Sequence, residues 1–259
     1  MKKTVSIVLS AIMLLLAFCS CASNSTEFSY SNDMRFVSEI KWSEGINSDQ
    51  HLGKWGSLKG LNDHYFNTLG GDNLFILKVK VAGESKNYST FDEIYKEKPH
   101  LFDNTEEERL RFCSVRTPVQ IEEVYYASDS DSNVKAGNII MIKEDYYYVD
   151  KEFCSKMPDT VEKYNVKVGD IVPNVNNDKA YYREMFLEKD YTFIIYCKLA
   201  NDGGFYTVSY WKSTVFCIER EPMPVDYYGE DKHKDYISYL NIRKEAIDYY
   251  INGNKEVLK

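Results

Sequence analysis

Strict alternation of apolar and polar positions first emerges after Asn73, where Phe75, Leu77, Val79 and Val81 interleave with Ile76, Lys78 and Lys80 until Gly83 ends the run. A period of two predicts a strand, here one buried mainly on its odd-numbered face. Val119 and Ile121 then hold one phase and Val124 the other, so Glu122-Glu123 marks a bulge that bends the strand. Bends of this kind let a small barrel turn its corners. The polar loop Ala127 to Gly137 leads into Asn138-Ile-Ile-Met-Ile142, which continues towards Tyr146 to Val149 and completes a hairpin. Val166 to Val172 reads as a short strand around a turn. Leu187 to Leu199 places a turn before a strongly apolar strand, suited to the most buried position of a barrel. Asn201-Asp-Gly-Gly204 is a tight turn, because glycine accepts the positive φ such turns demand, and Phe205 to Tyr210 and Thr214 to Ile218 supply the last strands.

Three regions break this pattern. Residues 34–72, with Trp42, Trp55, His51 and His64, predict an irregular or partly helical lead-in. The charged stretch Glu84 to Arg111 predicts a solvated insertion, although Thr105-Glu-Glu-Glu could cap a short helix. After Pro222 and Pro224, Ile237, Leu240, Ile247 and Ile251 fall on one helical stripe behind Asp235, with Gly253 as a stop, which predicts an amphipathic helix in the extension 220–259. The fold class expected is mainly β, with a small barrel over residues 73–219.

The amino terminus adds a compartment. Lys2 and Lys3 precede an uncharged, mostly apolar run from Val5 to Phe18, the length of an export signal and short of the roughly 20 residues a bilayer-spanning helix needs. Phe18-Cys-Ser-Cys21 resembles the lipobox of bacterial lipoproteins, with small Ser20 before the acylated cysteine; it departs from that pattern in Phe18 and in Cys19. The resemblance implies a signal peptide over 1–20, lipidation of Cys21, and a polar tether over 21–33 that holds the body on the extracytoplasmic face of the cell membrane.

Charge and composition narrow the partners. The chain carries −8 in 259 residues, so losing Lys2 and Lys3 leaves a more acidic body, which speaks against nucleic acid. Tyrosine is abundant, 22 residues, with doublets at 125–126, 181–182, 227–228 and 249–250. Neighbours on a strand point to opposite faces, so one ring of each stranded doublet is expected to face away from the core. Export permits disulfides among Cys113, Cys154, Cys197 and Cys217; Cys113 with Cys154 is the better pair, and reduced buried thiols are as reasonable for Cys197 and Cys217.

The order of the bulged Val119-Gln-Ile-Glu-Glu-Val, then Val134-Lys-Ala-Gly-Asn-Ile-Ile-Met-Ile, then Phe186-Leu-Glu-Lys-Asp-Tyr-Thr-Phe-Ile-Ile-Tyr and Gly-Gly-Phe-Tyr resembles a group of exported Gram-positive proteins. These carry a five-stranded OB-like barrel similar to the amino-terminal domain of tissue inhibitors of metalloproteinases. The resemblance implies that fold over 73–219, with longer insertions at 84–111 and 151–185. It does not bring protease inhibition, which in that family needs a free amino-terminal cysteine at the reactive edge.

Motifs for chemistry are thin. Asp129, Asp131 and Asn133 start like a calcium loop, but Val134 stands where glycine is required and Ile140 where the bidentate glutamate belongs. His51, His64, His100 and His233 are scattered without ligand spacing, so no metal is expected, and no cofactor motif occurs. Ser-x-x-Lys recurs at Ser38, Ser132 and Ser209 without the companion motifs of penicillin-binding enzymes. Glu122 and Glu123 diverge unless a bulge rotates one of them. What remains is aromatic surface, with Tyr146, Tyr148, Tyr206, Tyr210 and Trp211 the first residues to inspect for a glycan or an envelope protein. The expectation is a lipid-anchored binding or interaction module; the alternative is an envelope hydrolase with an unrecognised site.

Overall fold

The computed structural model describes residues 27–28, 35, 37, 56–68, 73–89, 91–101, 105–128, 134–144, 146–173, 187–199, 205–207, 214–221 and 230–259. The export signal, Cys21, Trp42, Trp55, His51, Asp129, Asp131, Asn133, the Asn201 to Gly204 turn, Tyr210 and Trp211 lie outside these residues.

The protein is mainly β: a curled, largely antiparallel sheet with a C-terminal helix packed on it. In chain order come β1 (Glu27–Phe28), α1 (Leu58–Asp63), which runs on as a π-helical turn over His64–Thr68, β2 (Leu74–Val81) and β3 (Ser85–Ser89). Then follow α2 (Phe91–Glu97), α3 (Glu106–Arg111), β4 (Cys113–Ala127), β5 (Ile139–Glu144) and β6 (Tyr146–Tyr148). The second half holds α4 (Lys151–Lys156), α5 (Pro158–Tyr164), β7 (Ile171–Pro173), β8 (Thr192–Leu199), β9 (Phe205–Thr207), β10 (Val215–Cys217) and α6 (Glu230–Ala246), which ends in a second π turn, Ile247–Ile251.

The sheet runs β1-β3-β4-β2-β8-β9-β5, β5 pairs β4 in addition, and β10 lies on β8. Hydrogen-bonded neighbours therefore form a circuit through β4, β2, β8, β9 and β5, all antiparallel except the short parallel contact of Ile142 and Lys143 with Phe205 and Tyr206. The expected bulge is present: Lys78 faces Glu123 and Val79 faces Ile121, leaving Glu122 as the extra residue. A second irregularity leaves Tyr125 unmatched between Val124 and Tyr126. Pro118, which has no N–H to give, sits where β4 changes partner from β3 to β2, and its carbonyl accepts from Ala82 N.

Both faces of the central strands are covered. Inside the curl, Phe75, Leu77, Val79, Val119, Ile121, Ile140, Ile142, Phe193 and Ile195 make one core. On the outside, Leu74, Ile76, Ile194, Tyr196 and Phe216 pack against Leu58 and Leu61 of α1 and Tyr239, Ile242 and Ala246 of α6. This second core explains why even-numbered Leu74 and Ile76 are buried as fully as their odd neighbours. A third cluster joins Val37, Leu110, Phe153, Met157, Val166 and Val172 beside the sheet.

Several expectations are corrected. Glu84 to Arg111 is not a solvated insertion: it supplies β3 and two helices, α3 being capped by Thr105 Oγ1 accepting from Glu108 N at 3.2 Å. The buried side chains of β3 are Ser85 and Asn87, held by hydrogen bonds, so a hydrophobic alternation could not reveal the strand. Tyr146 to Tyr148 does not continue the hairpin but pairs with β7 in a separate two-stranded sheet. Residues 151–164 fold as α4, capped by Asp150 Oδ1 accepting from Phe153 N, and α5, opened by Pro158 and closed by Asn165 in the left-handed region. Glu27 and Phe28, inside the expected tether 21–33, instead extend the sheet by pairing with Lys86 and Ser85.

The helical stripe is offset as well. Of the expected stripe, Leu240 and Ile247 pack half-buried on the outer core while Ile237 and Ile251 are exposed, and Tyr239, Ile242, Arg243 and Ala246 are the buried residues. Tyr239 donates to Val215 O at 2.7 Å, and Arg243 donates to Cys217 O at 2.7 Å and Ile218 O at 3.0 Å, so polar side chains that cap the edge strand β10 turn the helix. Gly253, at φ +72, follows the last turn as expected.

Candidate functional site

Among the described residues, ring surface accumulates where the outer core meets the end of β4. Tyr196, fully buried on β8, is its floor: the hydroxyl donates to Asn62 Oδ1 of α1 at 2.8 Å and lies 3.0 Å from the hydroxyl of Tyr250. Tyr125 stacks on Tyr250 with centroids 4.7 Å apart and planes inclined at 29°, Phe66 meets Tyr126 edge to face at 4.7 Å, and Tyr249 meets Tyr250 edge to face at 4.9 Å. These are the offset and T-shaped arrangements favoured by ring quadrupoles. Phe66, Tyr125, Tyr126, Tyr249 and Tyr250 are each only half-buried, which leaves part of the shelf to solvent.

Local backbone irregularity assembles it. Phe66 and Tyr250 both sit in π turns, which widen a helix by one residue and rotate the side chains that follow. Tyr125, like Glu122, is left unmatched on β4, so both rings of the Tyr125-Tyr126 doublet pack towards the same core, contrary to the expectation that one of each stranded pair turns away. The second bulge has cancelled the alternation. Burial, then the nearby Glu123 carboxylate, pushes the Tyr125 hydroxyl well above its ordinary pKa, and burial pushes Tyr250 up to about 12. Near neutral pH these phenols are uncharged; the Tyr125 hydroxyl is buried without a hydrogen-bond partner and the Tyr250 hydroxyl turns inward onto Tyr196, so what the shelf offers to solvent is flat ring surface.

A second polar cluster lies inside the sheet. Glu144 of β5 is fully buried; it accepts from Thr117 Oγ1 at 2.5 Å and from Leu187 N at 3.4 Å, and Thr117 Oγ1 lies 2.9 Å from Ser85 Oγ. The chain of three side chains joins β3, β4 and β5. Its groups are spent on one another and have no exposed face, which is a structural rather than a reactive arrangement.

The residues singled out in the sequence disperse. Tyr146 is buried and Tyr148 half-buried in the small two-stranded sheet, neither belonging to the outer core that carries the shelf, and Tyr206 is the middle residue of β9. Glu122 pairs with Lys78 at 3.1 Å, so the acidic doublet is a bend stabilised by an ion pair. His64 belongs to the first π turn and meets Tyr65 edge to face, while His100 is exposed. Among the described residues no group of three His, Cys, Asp or Glu side chains could hold a metal. Cys113, Cys154, Cys197 and Cys217 are free thiols, so the expected Cys113–Cys154 bridge is absent; Cys113 Sγ instead donates to Arg109 O at 3.3 Å. Among the described residues no helix is long and apolar enough to cross a membrane. Sequence reasoning missed the shelf because its members come from four separate segments, and the only signal was the recurrence of Tyr-Tyr doublets at 125–126 and 249–250. Comparison with protein-family models, with curated proteins and with solved structures finds no match.

Proposed function

We propose that this protein is a lipid-anchored, extracytoplasmic binding module built on an OB-like barrel. The barrel reading is supported by the pairing circuit. Numbering only its five members along the chain (β2, β4, β5, β8, β9), the neighbours run first, second, third, fifth, fourth and back to the first, with third and fifth parallel, which is the Greek-key order of an OB barrel. Anchoring is supported by the leader and by Cys21 behind Ser20.

The observation that carries a binding role is the half-exposed tyrosine shelf on the Tyr196–Asn62 floor. Uncharged rings with flat, partly exposed faces suit a neutral ring ligand such as a sugar, which stacks on them. An envelope glycan or glycosylated envelope protein is the partner class. Glycan-array and envelope pull-down binding should fall at least tenfold in Tyr125→Ala and Tyr249→Ala, while Lys255→Ala leaves it unchanged. Equal signals from all three proteins, or none from any, would remove the role. Labelled palmitate should enter the wild type and not Cys21→Ala.

A further inference from the structure

Strand register gathers cations that are far apart in the chain into one outward-facing row. Lys86 of β3 lies opposite Arg116 of β4, and Arg116 lies opposite Lys143 of β5. Directly opposed residues share a face, and like charges placed so oppose folding. Their burial agrees with an outward row: Lys86 is exposed and Arg116 and Lys143 half-buried, while the alternate residues Val115, Thr117, Ile142 and Glu144 are buried inside the curl. Arg116 is steadied by the ring of Tyr88, its guanidinium carbon 3.4 Å from the centroid. Glu27 of β1 stands opposite Lys86 in the same row, so three cations against one acid leave it locally positive in a chain of net charge −8.

The same face carries apolar side chains next to the charges. Moving along β5 from Lys143, the outward positions are half-buried Met141, opposite Pro118, and Ile139, 61% exposed. A cationic row bordered by exposed apolar residues matches the boundary between headgroups and acyl chains. The position of the chain's amino-terminal segment adds a third constraint. Glu27 of β1 is the register partner of Lys86, and Cys21 lies six residues before it. Six residues reach at most roughly 20 Å at 3.3–3.6 Å each, and strands lie about 4.8 Å apart. An acyl chain on Cys21 therefore keeps this edge, and the row that begins at it, close to the bilayer.

We infer that the outer face of β3, β4 and β5 lies against an anionic lipid surface, with Lys86, Arg116 and Lys143 on the headgroups and Ile139 entering between them. The contact gives the anchored body a fixed orientation rather than free rotation on its tether. The orientation rests on the proposed lipidation of Cys21; the charge match stands without it.

The test is lysine footprinting of the full-length lipoprotein, purified from membranes and mixed with vesicles of phosphatidylcholine alone or with phosphatidylglycerol added. Acetylation of Lys86 and Lys143 by a water-soluble amine reagent should fall several-fold in the anionic vesicles only. It should recover at high salt, where surface attraction is screened, while Lys59 and Lys255 react alike throughout. Ile139→Ser should weaken the protection without altering charge. Equal acetylation of Lys86 and Lys143 in both vesicle types, or equal protection of Lys59 and Lys255, overturns the inference. Flotation with neutral vesicles reads the anchor separately: its loss, with Lys86 and Lys143 still protected by anionic vesicles, removes lipidation and leaves the face.

Discussion

The hydroxyl of Tyr196, at the middle of β8, reaches Asn62 Oδ1 of α1 at 2.8 Å across 134 residues of chain. The bond ties the sheet to the helix that covers it, and a 3.0 Å contact with the Tyr250 hydroxyl adds the C-terminal π turn. Tyr196→Phe keeps the buried ring and leaves the two partners short of a bond in a site where Tyr196 has no exposure. The expected loss is about 1–3 kcal/mol, a fall of roughly 2–10 °C in Tm for a chain of this size. Calorimetry of the two proteins checks it, and an unchanged Tm would show that the bond contributes nothing.

The four free thiols predict a pattern of reactivity. Burial pushes Cys113 up to about 12 and raises Cys197 and Cys217, and since only the thiolate attacks, these three should alkylate far more slowly than an exposed cysteine at pH 8. Cys154 is raised too, but it is half-buried and should lead. Unfolding in urea without reductant should then expose all four to iodoacetamide, counted by peptide mass. A fixed shortfall of two at Cys113 and Cys154 would mean that they are bridged.

Alkaline stability should follow the tyrosine cluster. Burial raises the pKa of Tyr196 and brings Tyr250 from its ordinary value of 10.0 to about 12. The folded protein keeps protons that the unfolded chain releases, so the contribution is complete below pH 10 and is lost as pH rises towards 12. Urea midpoints should decline across that window and decline less steeply in Tyr250→Phe. Phenolate absorbance at 295 nm should rise for the cluster together with unfolding rather than before it.

Much of the curled sheet was legible because its strands obey a simple rule. Phe75, Leu77, Val79 and Val81 alternate, Glu122-Glu123 breaks phase where the bulge occurs, and the run around Ile194 and Ile195 is the strand buried on both faces. Elements held by polar groups were opaque. Ser85 and Asn87 are buried through hydrogen bonds to Thr117 and to the Tyr148 backbone, and hydropathy reads them as surface. Arg243 is buried on α6 where it donates to β10, while Ile237 and Ile251 of the expected stripe are exposed and Leu240 and Ile247 are half-buried, a long-range effect with no local signature. The aromatic shelf and the cationic row depend on register and on π turns, so they exist only once the chain has paired.

Glu144 tests how far such polar packing holds the fold. Its carboxylate is fully buried and takes the Thr117 hydroxyl at 2.5 Å and Leu187 N at 3.4 Å, while Ser85 extends the chain to β3. Glu144→Ala removes the acceptor and leaves a hydroxyl and an amide unpaired in the interior, together with a void. The expected loss is about 2–4 kcal/mol. Glu144→Gln keeps one oxygen to accept from Thr117 and should lose less. Urea unfolding should therefore order the midpoints wild type, Gln, Ala with a common slope, because the surface exposed on unfolding is nearly the same. If alanine matched the wild type, β3, β4 and β5 would be joined by their backbone ladders and the apolar core alone, and the buried Ser-Thr-Glu chain would have no role in the sheet's stability.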